Sequence, residues 1–174
     1  MTFQLTPVGV VHSELTQPTL RAGEDGLSLE ATLEAARDHN RRVRELVSEI
    51  EIFEPYVPML EGIRGFSHII VLYWPHLLPE ERRSTEKVHP MGREEFPLTG
   101  VFATNSPARP NPVLVSTVRL LGRDGGRLHV RGLEAVEGSP VLDIKPYNPH
   151  YMAATGLVLP GWMARIQSDA DSGD

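Results

Sequence analysis

An aspartate and a lysine lie two positions apart in one short apolar segment near the C-terminal end of the chain. Residues 138–147 read Gly-Ser-Pro-Val-Leu-Asp-Ile-Lys-Pro-Tyr, a pattern that begins as a β-strand. Successive side chains on a strand point to opposite faces, so Asp143 and Lys145 are predicted on the same face. Such a pair suits acid-base chemistry and charge recognition at a ligand site, or it forms a structural salt bridge. The sequence leaves both alternatives open.

A second polar cluster occupies a proline-rich loop earlier in the chain. Residues 100–113 read Gly-Val-Phe-Ala-Thr-Asn-Ser-Pro-Ala-Arg-Pro-Asn-Pro-Val. Each proline fixes its own φ and pushes the preceding residue toward extended geometry, so Ser106, Arg109 and Asn111 are predicted on a stiff backbone. The loop is therefore either a preorganised ligand-binding segment or a rigid surface turn.

Three further segments accompany these two in a recognisable order. They are Pro7-Val-Gly-Val-Val-His-Ser13, the apolar run from Gly62 to His76, and His89-Pro-Met-Gly92. Together these segments resemble the TsaA-like family, also called the TrmO or YaeB family of S-adenosylmethionine-dependent tRNA adenine methyltransferases, and the resemblance covers most of residues 5–147. The motifs Ser-Pro-x-Arg-Pro-Asn-Pro and Asp-Ile-Lys-Pro-Tyr are uncommon and carry most of the resemblance.

The resemblance implies a β-barrel enzyme that forms homodimers, uses S-adenosyl-L-methionine as cofactor and takes tRNA as substrate. It implies methylation of the exocyclic amino group of an adenosine in the anticodon loop, with the donor in a cleft near the subunit interface. Asp143 and Lys145 become the catalytic candidates. The residues implied to bind the cofactor are His76, Leu77, Asn105, Arg109, Asn111, Val115, Asp143, Ile144, Lys145 and Pro146.

Methyl transfer from a sulfonium needs in-line positioning of donor and nucleophile and removal of a proton from the accepting nitrogen. In this interpretation Asp143 orients the donor's ammonium or accepts the proton. Lys145 holds the donor's carboxylate or a substrate phosphate.

Two departures from the family pattern lie beside the implied donor site. Asn105 stands where the family usually has an arginine, and Val113-Leu114-Val115 stands where it usually has Ile-Gly-Leu. A planar cation and a glycine that permits close backbone approach are therefore absent. These departures and the acidic balance allow a small-molecule methyl acceptor as one alternative. A non-catalytic module that senses a nucleotide-like ligand is the other alternative.

Composition limits the function classes further. The chain of 174 residues has no cysteine, which excludes disulfides, thiolate metal sites and a cysteine nucleophile. The seven histidines show no HxH or HExxH spacing, so no metal site is predicted. No glycine-rich turn opens a helix after a strand, which argues against a Rossmann enzyme. The N-terminus does not read as a signal sequence and no apolar run is long enough to span a membrane, so a cytoplasmic protein is expected.

The net charge of −6 argues against a protein that coats nucleic acid, although local basic clusters remain. One cluster combines Arg37, Arg41, Arg42 and Arg44, and the other combines Arg82, Arg83, Lys87 and Arg93. Each is either an RNA contact or a solvated face with neighbouring acids.

Strand signals outnumber helix signals and predict a mainly β fold, an antiparallel β-barrel of about six to seven strands with one long amphipathic helix. The helix is predicted from Leu29 to about Ser48, with a helix start at Asp25–Ser28 after a loop over 13–26. The predicted strands are 4–12, 50–53, 66–73, 100–104, 113–121, 128–133 and 140–144, and Arg123-Asp-Gly-Gly126 predicts a hairpin turn. A barrel domain is expected over 1–160, followed by a partly disordered tail over 161–174.

Overall fold

The structure, a computed structural model, describes residues 4–18, 20–23, 26–29, 33–152 and 154–171. The chain forms two compact units. The first comprises Met1–Pro18, Val43–Leu77 and Pro112–Asn148, and the second comprises Thr19–Arg42, Leu78–Asn111 and Pro149–Asp174.

The described helices and strands follow one another in this order: β1 Gly9–His12, β2 Leu20–Gly23, β3 Gly26–Leu29, α1 Leu33–Glu45, β4 Val47–Ile52, β5 His68–Tyr73, β6 Lys87–Val88, β7 Thr99–Gly100, β8 Leu114–Asp124, β9 Arg127–Arg131, β10 Pro140–Pro146, α2 Pro149–Met152 and α3 Gly161–Asp171. Short 3₁₀ helices lie at Glu54–Leu60, Ile63–Gly65, Glu80–Ser84, Pro90–Gly92 and Val101–Ala103.

The first unit is a closed antiparallel barrel of six strands in the order β1-β10-β5-β8-β9-β4, with β4 pairing back to β1. This confirms the predicted fold class. The hairpin prediction is confirmed as well, because Asp124 pairs with Arg127 across Gly125 and Gly126. Gly125 has φ of 55°, a left-handed conformation that glycine adopts without steric cost.

Alternating apolar side chains from the six strands fill the barrel interior. Val11, Ile50, Ile69, Val71, Leu128, Val130 and Val141 are each fully buried there. Burial of one such side chain contributes about 1.5–3 kcal/mol. The hydroxyl of Tyr73 also lies in this core and donates to the carbonyl oxygen of Glu134 at 2.8 Å, and burial raises the pKa of this phenol.

The second unit contains the two-stranded sheets β2-β3 and β6-β7 and the helices α2 and α3. Its buried apolar residues include Val88, Phe96 and Val101. The guanidinium of Arg93 lies 4.5 Å from the centre of the Phe96 ring and donates to Asp169 on α3 at 2.8 Å. In the part of the chain that the structure describes, no helix is both long enough and apolar enough to cross a bilayer.

The predicted long helix is shorter than expected, because α1 ends at Glu45 and β4 begins two residues later. Apolar residues at 43, 46, 47 and 50 fit helical spacing, but Val-Ser-Glu-Ile-Glu-Ile over β4 also alternates with period two. Ser48, Ile50 and Ile52 are buried on that alternating face. Pairing in the closed barrel therefore selects the strand over the helix for this segment.

Two further regions were predicted wrongly, and a third prediction stays untested. Residues 20–23 and 26–29 form a hairpin inside the predicted loop, so Gly26–Ser28 is strand and not a helix start, while Asp25 lies outside the described residues. Residues 101–103 form a 3₁₀ turn in place of the strand predicted over 100–104. The range 161–174 contains α3, and the division into domain and tail stays a prediction.

A charged network joins β1 to its neighbours on the outside of the barrel. His12 contacts Glu51 through Nε2 and Glu137 through Nδ1, each at 3.1 Å, and Glu137 also accepts the backbone N–H of Ser13 at 2.6 Å. The hydrogen bond to Glu137, followed by that to Glu51, raises the pKa of His12. The Ser13 N–H, followed by His12, lowers the pKa of Glu137.

We expect this network to stabilise the barrel in a limited pH window. A raised histidine pKa gives stability that is complete below the ordinary value of 6.5 and is lost as pH rises through the raised pKa. A lowered carboxyl pKa gives stability that is present above 4.5 and is lost as pH falls through the lowered pKa. The urea midpoints of the wild type and His12→Gln should therefore differ most between pH 4.5 and pH 6.5, and they should converge at alkaline pH. A difference that does not vary with pH would contradict this expectation.

Candidate active site on the outer face of the barrel

Strands β10, β5 and β8 lie side by side, and their pairing fixes which outward side chains are neighbours. Asp143 pairs with Leu72, which pairs with Val115, and these three form one row across the sheet. Lys145, Ile70 and Thr117 form the next row. Residues that pair directly across strands project to the same face, so both rows lie on the side opposite the core residues Ile69 and Val71.

Asp143 and Lys145 form an ion pair on this face, with Nζ and Oδ2 2.5 Å apart. The other carboxylate oxygen of Asp143 accepts the backbone N–H of Ile144 at 2.9 Å. The two side chains are 44% and 54% exposed, and such exposed pairs contribute about 0–1 kcal/mol. The salt bridge is thus present, yet it is weak. Both side chains are exposed enough to pair with the charges of a ligand instead of with each other.

A β-bulge precedes the aspartate, because the register of β10 against β5 shifts between Val141 and Asp143. Bulges turn the strand locally and re-aim the side chains beyond them. The neighbouring Ile144 points the other way and packs against the barrel core, so only its backbone is available on the outer face. Pro146 is exposed at the strand's end.

His76 and Leu77 follow β5 at the rim of the barrel. The N–H of Trp74 donates to the carbonyl of Pro140 at 2.9 Å, and the N–H of His76 donates to the carbonyl of Trp74 at 2.9 Å. Gly138 has φ of 78°, and a Cβ added there would lie 3.7 Å from Nε2 of His76. The imidazole therefore packs against the turn that leads into β10. Leu77 and Val115 are both exposed, at 46% and 63%.

The barrel unit thus holds seven of the predicted site residues, namely His76, Leu77, Val115, Asp143, Ile144, Lys145 and Pro146. Asn105, Arg109 and Asn111 belong to the second unit. Leu72 and Thr117 are outer-face neighbours that the sequence did not single out. The alternation of β8 could have indicated Thr117, but its pairing across β5 could not be read from the sequence.

Arg109 is bound to its own loop in the second unit. Its Nε donates to the carbonyl of Ser106 at 2.6 Å, and its Nη2 donates to the carbonyls of Thr104 and Val101. The planar guanidinium therefore reaches three backbone carbonyls of its own loop, of which that of Val101 also accepts the N–H and the hydroxyl of Thr104. Asn105 and Asn111 are exposed on the same loop.

We expect Arg109→Lys to lower the free energy of unfolding by about 2 kcal/mol, because one ammonium cannot reproduce a fork that reaches three carbonyls. Urea unfolding measures the change, and Arg42→Lys, at an exposed position of α1, is the matched control. If Arg109 only contacted a ligand, both variants would be as stable as the wild type.

A hollow of about 400 Å³ opens elsewhere on the barrel, where Arg64, Phe66, Leu120, Leu121, Gly122 and Arg123 line it. It contains none of the predicted site residues. Within the described ranges, no three histidine, aspartate or glutamate side chains are grouped closely enough to hold a metal ion.

Comparison with curated proteins finds relatives that are named for a methyl donor. The chain is 41% identical over 147 residues to the "Probable S-adenosyl-L-methionine-binding protein" of Methanothermobacter thermautotrophicus, covering 84% of this chain and 91% of the relative. It is 45% identical over 108 residues to the "S-adenosyl-L-methionine-binding protein" of Archaeoglobus fulgidus, covering 62% and 74%.

Solved structures show the same fold. The crystal structure of TrmO from Pseudomonas aeruginosa superposes with a TM-score of 0.63 at 28% identity and covers 91% of this chain. A second TrmO crystal structure gives a TM-score of 0.66 at 29% identity. The chain spans 61% and 64% of those two solved chains.

The family model described as "tRNA-methyltransferase O N-terminal domain" matches residues 33–152. That range contains both motifs that carried the sequence resemblance, and it includes five of the six barrel strands. The chain belongs to the TrmO, or TsaA-like, family.

Proposed function

We propose that the protein is an S-adenosyl-L-methionine-dependent methyltransferase that methylates the exocyclic amino group of an adenosine in the anticodon loop of tRNA. The observation that carries the proposal is the exposed Asp143–Lys145 pair on the outer face of a TrmO-family barrel. Curated relatives named as S-adenosyl-L-methionine-binding proteins support the choice of donor. The expected setting for a tRNA-modifying enzyme is the cytoplasm.

The residues on this face fit the donor's chemistry. The methionine part of the donor carries one ammonium and one carboxylate, and Asp143 and Lys145 offer the complementary charges on adjacent rows. Exchanging a weak exposed pair for two ligand contacts costs little. Leu72 and Val115 add apolar surface in the same row as the aspartate.

When bound, the donor would supply an electrophilic methyl group on a sulfonium, whose sulfur would become a neutral thioether as the methyl–nitrogen bond forms. The protein's part is alignment and proton removal. Asp143, beside the donor's ammonium, accepts the proton that the methylated amino nitrogen loses, while Lys145 stays on the donor's carboxylate. Proton transfer to a positioned side chain contributes about 10²–10⁴-fold to such rates.

Two other functions compete with this proposal. A small-molecule acceptor would account for the departures at Asn105 and Val113–Val115. A non-catalytic binding module would fit the names of the two archaeal relatives described above, which mention binding and not transfer.

The test is transfer of a labelled methyl group from S-adenosylmethionine by the purified full chain. Bulk tRNA and a protein-free metabolite extract serve as separate acceptors, and nucleoside analysis locates the label. Label on an adenosine amino group in tRNA supports the proposal, whereas label only in the extract supports the small-molecule rival. Tight donor binding without transfer to either pool would leave the binding module.

We further propose that the active protein is a homodimer. In the second unit, Tyr151, Leu157 and Val158 are 78%, 70% and 88% exposed within a few residues of one another. Exposed large apolar side chains close together in the chain are a feature of interaction sites. Light scattering should give twice the mass of one chain, and Val158→Asp should shift the population toward monomer.

A further inference from the structure

Two arginines face each other across neighbouring strands on the outside of the barrel. Arg119 on β8 pairs directly with Arg131 on β9, and on its other side it pairs with His68 on β5. We call His68, Arg119 and Arg131 the arginine row. The adjacent residues Val118 and Val130 are core residues, so the arginine row projects outward.

The positive charge of this row is only partly neutralised. Arg119 is exposed and forms no ion pair or hydrogen bond with the residues that the structure describes. Arg131 lies 3.7 Å from Glu45, and its Nε is buried without a hydrogen-bond partner. Like charges directly opposite each other on a sheet are destabilising. The chain thus keeps an unfavourable pair on a surface where a neutral residue would be more stable.

The arginine row lies on the same face of the sheet as the candidate donor site. Val115, Thr117 and Arg119 alternate outward along β8, so Arg119 lies about 13 Å from Val115 at ~3.3 Å per residue. The N–H of Tyr147, which follows β10, donates to the carbonyl of His68 at 3.1 Å. Lys145 and Asp143 therefore lie on the same sheet face as the arginines, one and two rows away respectively.

The 400 Å³ hollow adjoins the row. The N–H of Leu120 donates to the carbonyl of Ser67 at 2.9 Å, which brings the hollow's Phe66 and Leu121 next to His68 and Arg119. Both apolar side chains are about two-fifths exposed. Proteins that bind single-stranded RNA combine cationic side chains for the backbone with exposed aromatic rings for the bases.

We propose that the arginine row binds the phosphate backbone of an RNA strand whose target base reaches the Asp143–Lys145 site. This proposal rests on the proposed function for the identity of the reacting base. Arg119 provides a cation that no described carboxylate pairs with, and the hollow at Phe66 receives a neighbouring base. Arg127, farther along β9, is not part of this surface, because Glu49 at 2.9 Å and Glu51 at 3.7 Å already neutralise it.

The discriminating variant is Arg119→Glu. It replaces a repulsive pair by an opposite-charge pair with Arg131, so the urea midpoint should stay the same or rise. Affinity for bulk tRNA and for a short stem-loop RNA should nevertheless fall at least about fivefold at 0.1 M salt. The slope of log affinity against log salt should decrease in magnitude by about 0.7 or more. Arg127→Gln is the matched control and should change RNA affinity by less than about twofold.

The outcomes separate this proposal from the proposed function. If the wild type methylates RNA but Arg119→Glu binds and reacts like the wild type, the arginine row is not the RNA surface. If no RNA is methylated while RNA binding shows the Arg119-dependent salt slope, RNA binding by the arginine row is supported and the proposed methyltransferase function is contradicted. Absence of RNA binding by the wild type, or equal Arg119-dependent binding of poly-glutamate, would overturn RNA as the occupant.

Discussion

Gly9→Ala is expected to destabilise the barrel by about 3 kcal/mol. A Cβ at this position would lie 2.4 Å from the carbonyl oxygen of Glu51 and 3.0 Å from Cδ1 of Ile52. Gly9 pairs with Ile52 on one side and Val141 on the other, at the strand where β4 and β10 close the barrel. Because the nearest atom belongs to a backbone, relief requires the strands to separate, and overpacking of this kind costs about 1–3 kcal/mol or more.

Gly122→Ala provides the comparison for this measurement. Gly122 also lies in a barrel strand, but a Cβ there would meet no heavy atom within 4 Å. Urea unfolding should show a large fall in midpoint for Gly9→Ala and almost none for Gly122→Ala. Equal midpoints would mean that the ladder between β1 and β4 opens without cost.

Asp143→Asn is expected to reduce methyl transfer at least about 100-fold while changing stability by less than about 1 kcal/mol. Loss of the proton acceptor affects the chemical step, whereas the broken ion pair is half exposed and contributes little. Lys145→Gln should mainly weaken donor affinity, by about tenfold, since it removes one charge complementary to the donor's carboxylate. Calorimetry with the donor and rates at saturating donor separate the two effects.

Arg127→Gln removes an ion pair of comparable exposure on another part of the same barrel and is the control for both variants. If Asp143→Asn loses no more activity than Arg127→Gln, the Asp143–Lys145 pair is structural. A parallel loss of stability and activity in Asp143→Asn would lead to the same conclusion.

The sequence was sufficient where local pattern and barrel closure favour the same structure. The long alternation of β8, the Asp-Gly-Gly turn and the apolar run of β5 each predicted their element, and together they predicted the barrel. The sequence patterns gave the wrong element where one segment fitted both helical spacing and the period of two of a strand. The residues of β4 fit the spacing of a helix, and only pairing with β1 and β9 selects the strand.

The candidate site shows the same limit. Asp143 and Lys145 could be placed on one face because that needs only the period of a single strand. Their neighbours Leu72, Val115 and Thr117 depend on register between strands distant in sequence, and the bulge after Val141 shifts that register. The role of Arg109 could not be foreseen either, since its acceptors are backbone carbonyls that every residue carries.

Closure of the six-stranded barrel limits how its strands can aggregate. Each barrel strand has a hydrogen-bonded neighbour on both sides, so the barrel exposes no free edge that could template cross-β assembly. Amide hydrogens of these strands should exchange only when the whole ladder opens. Cross-β assembly of the barrel strands would then have to begin from chains whose barrel has opened, and a bound ligand that favours the folded barrel would suppress it.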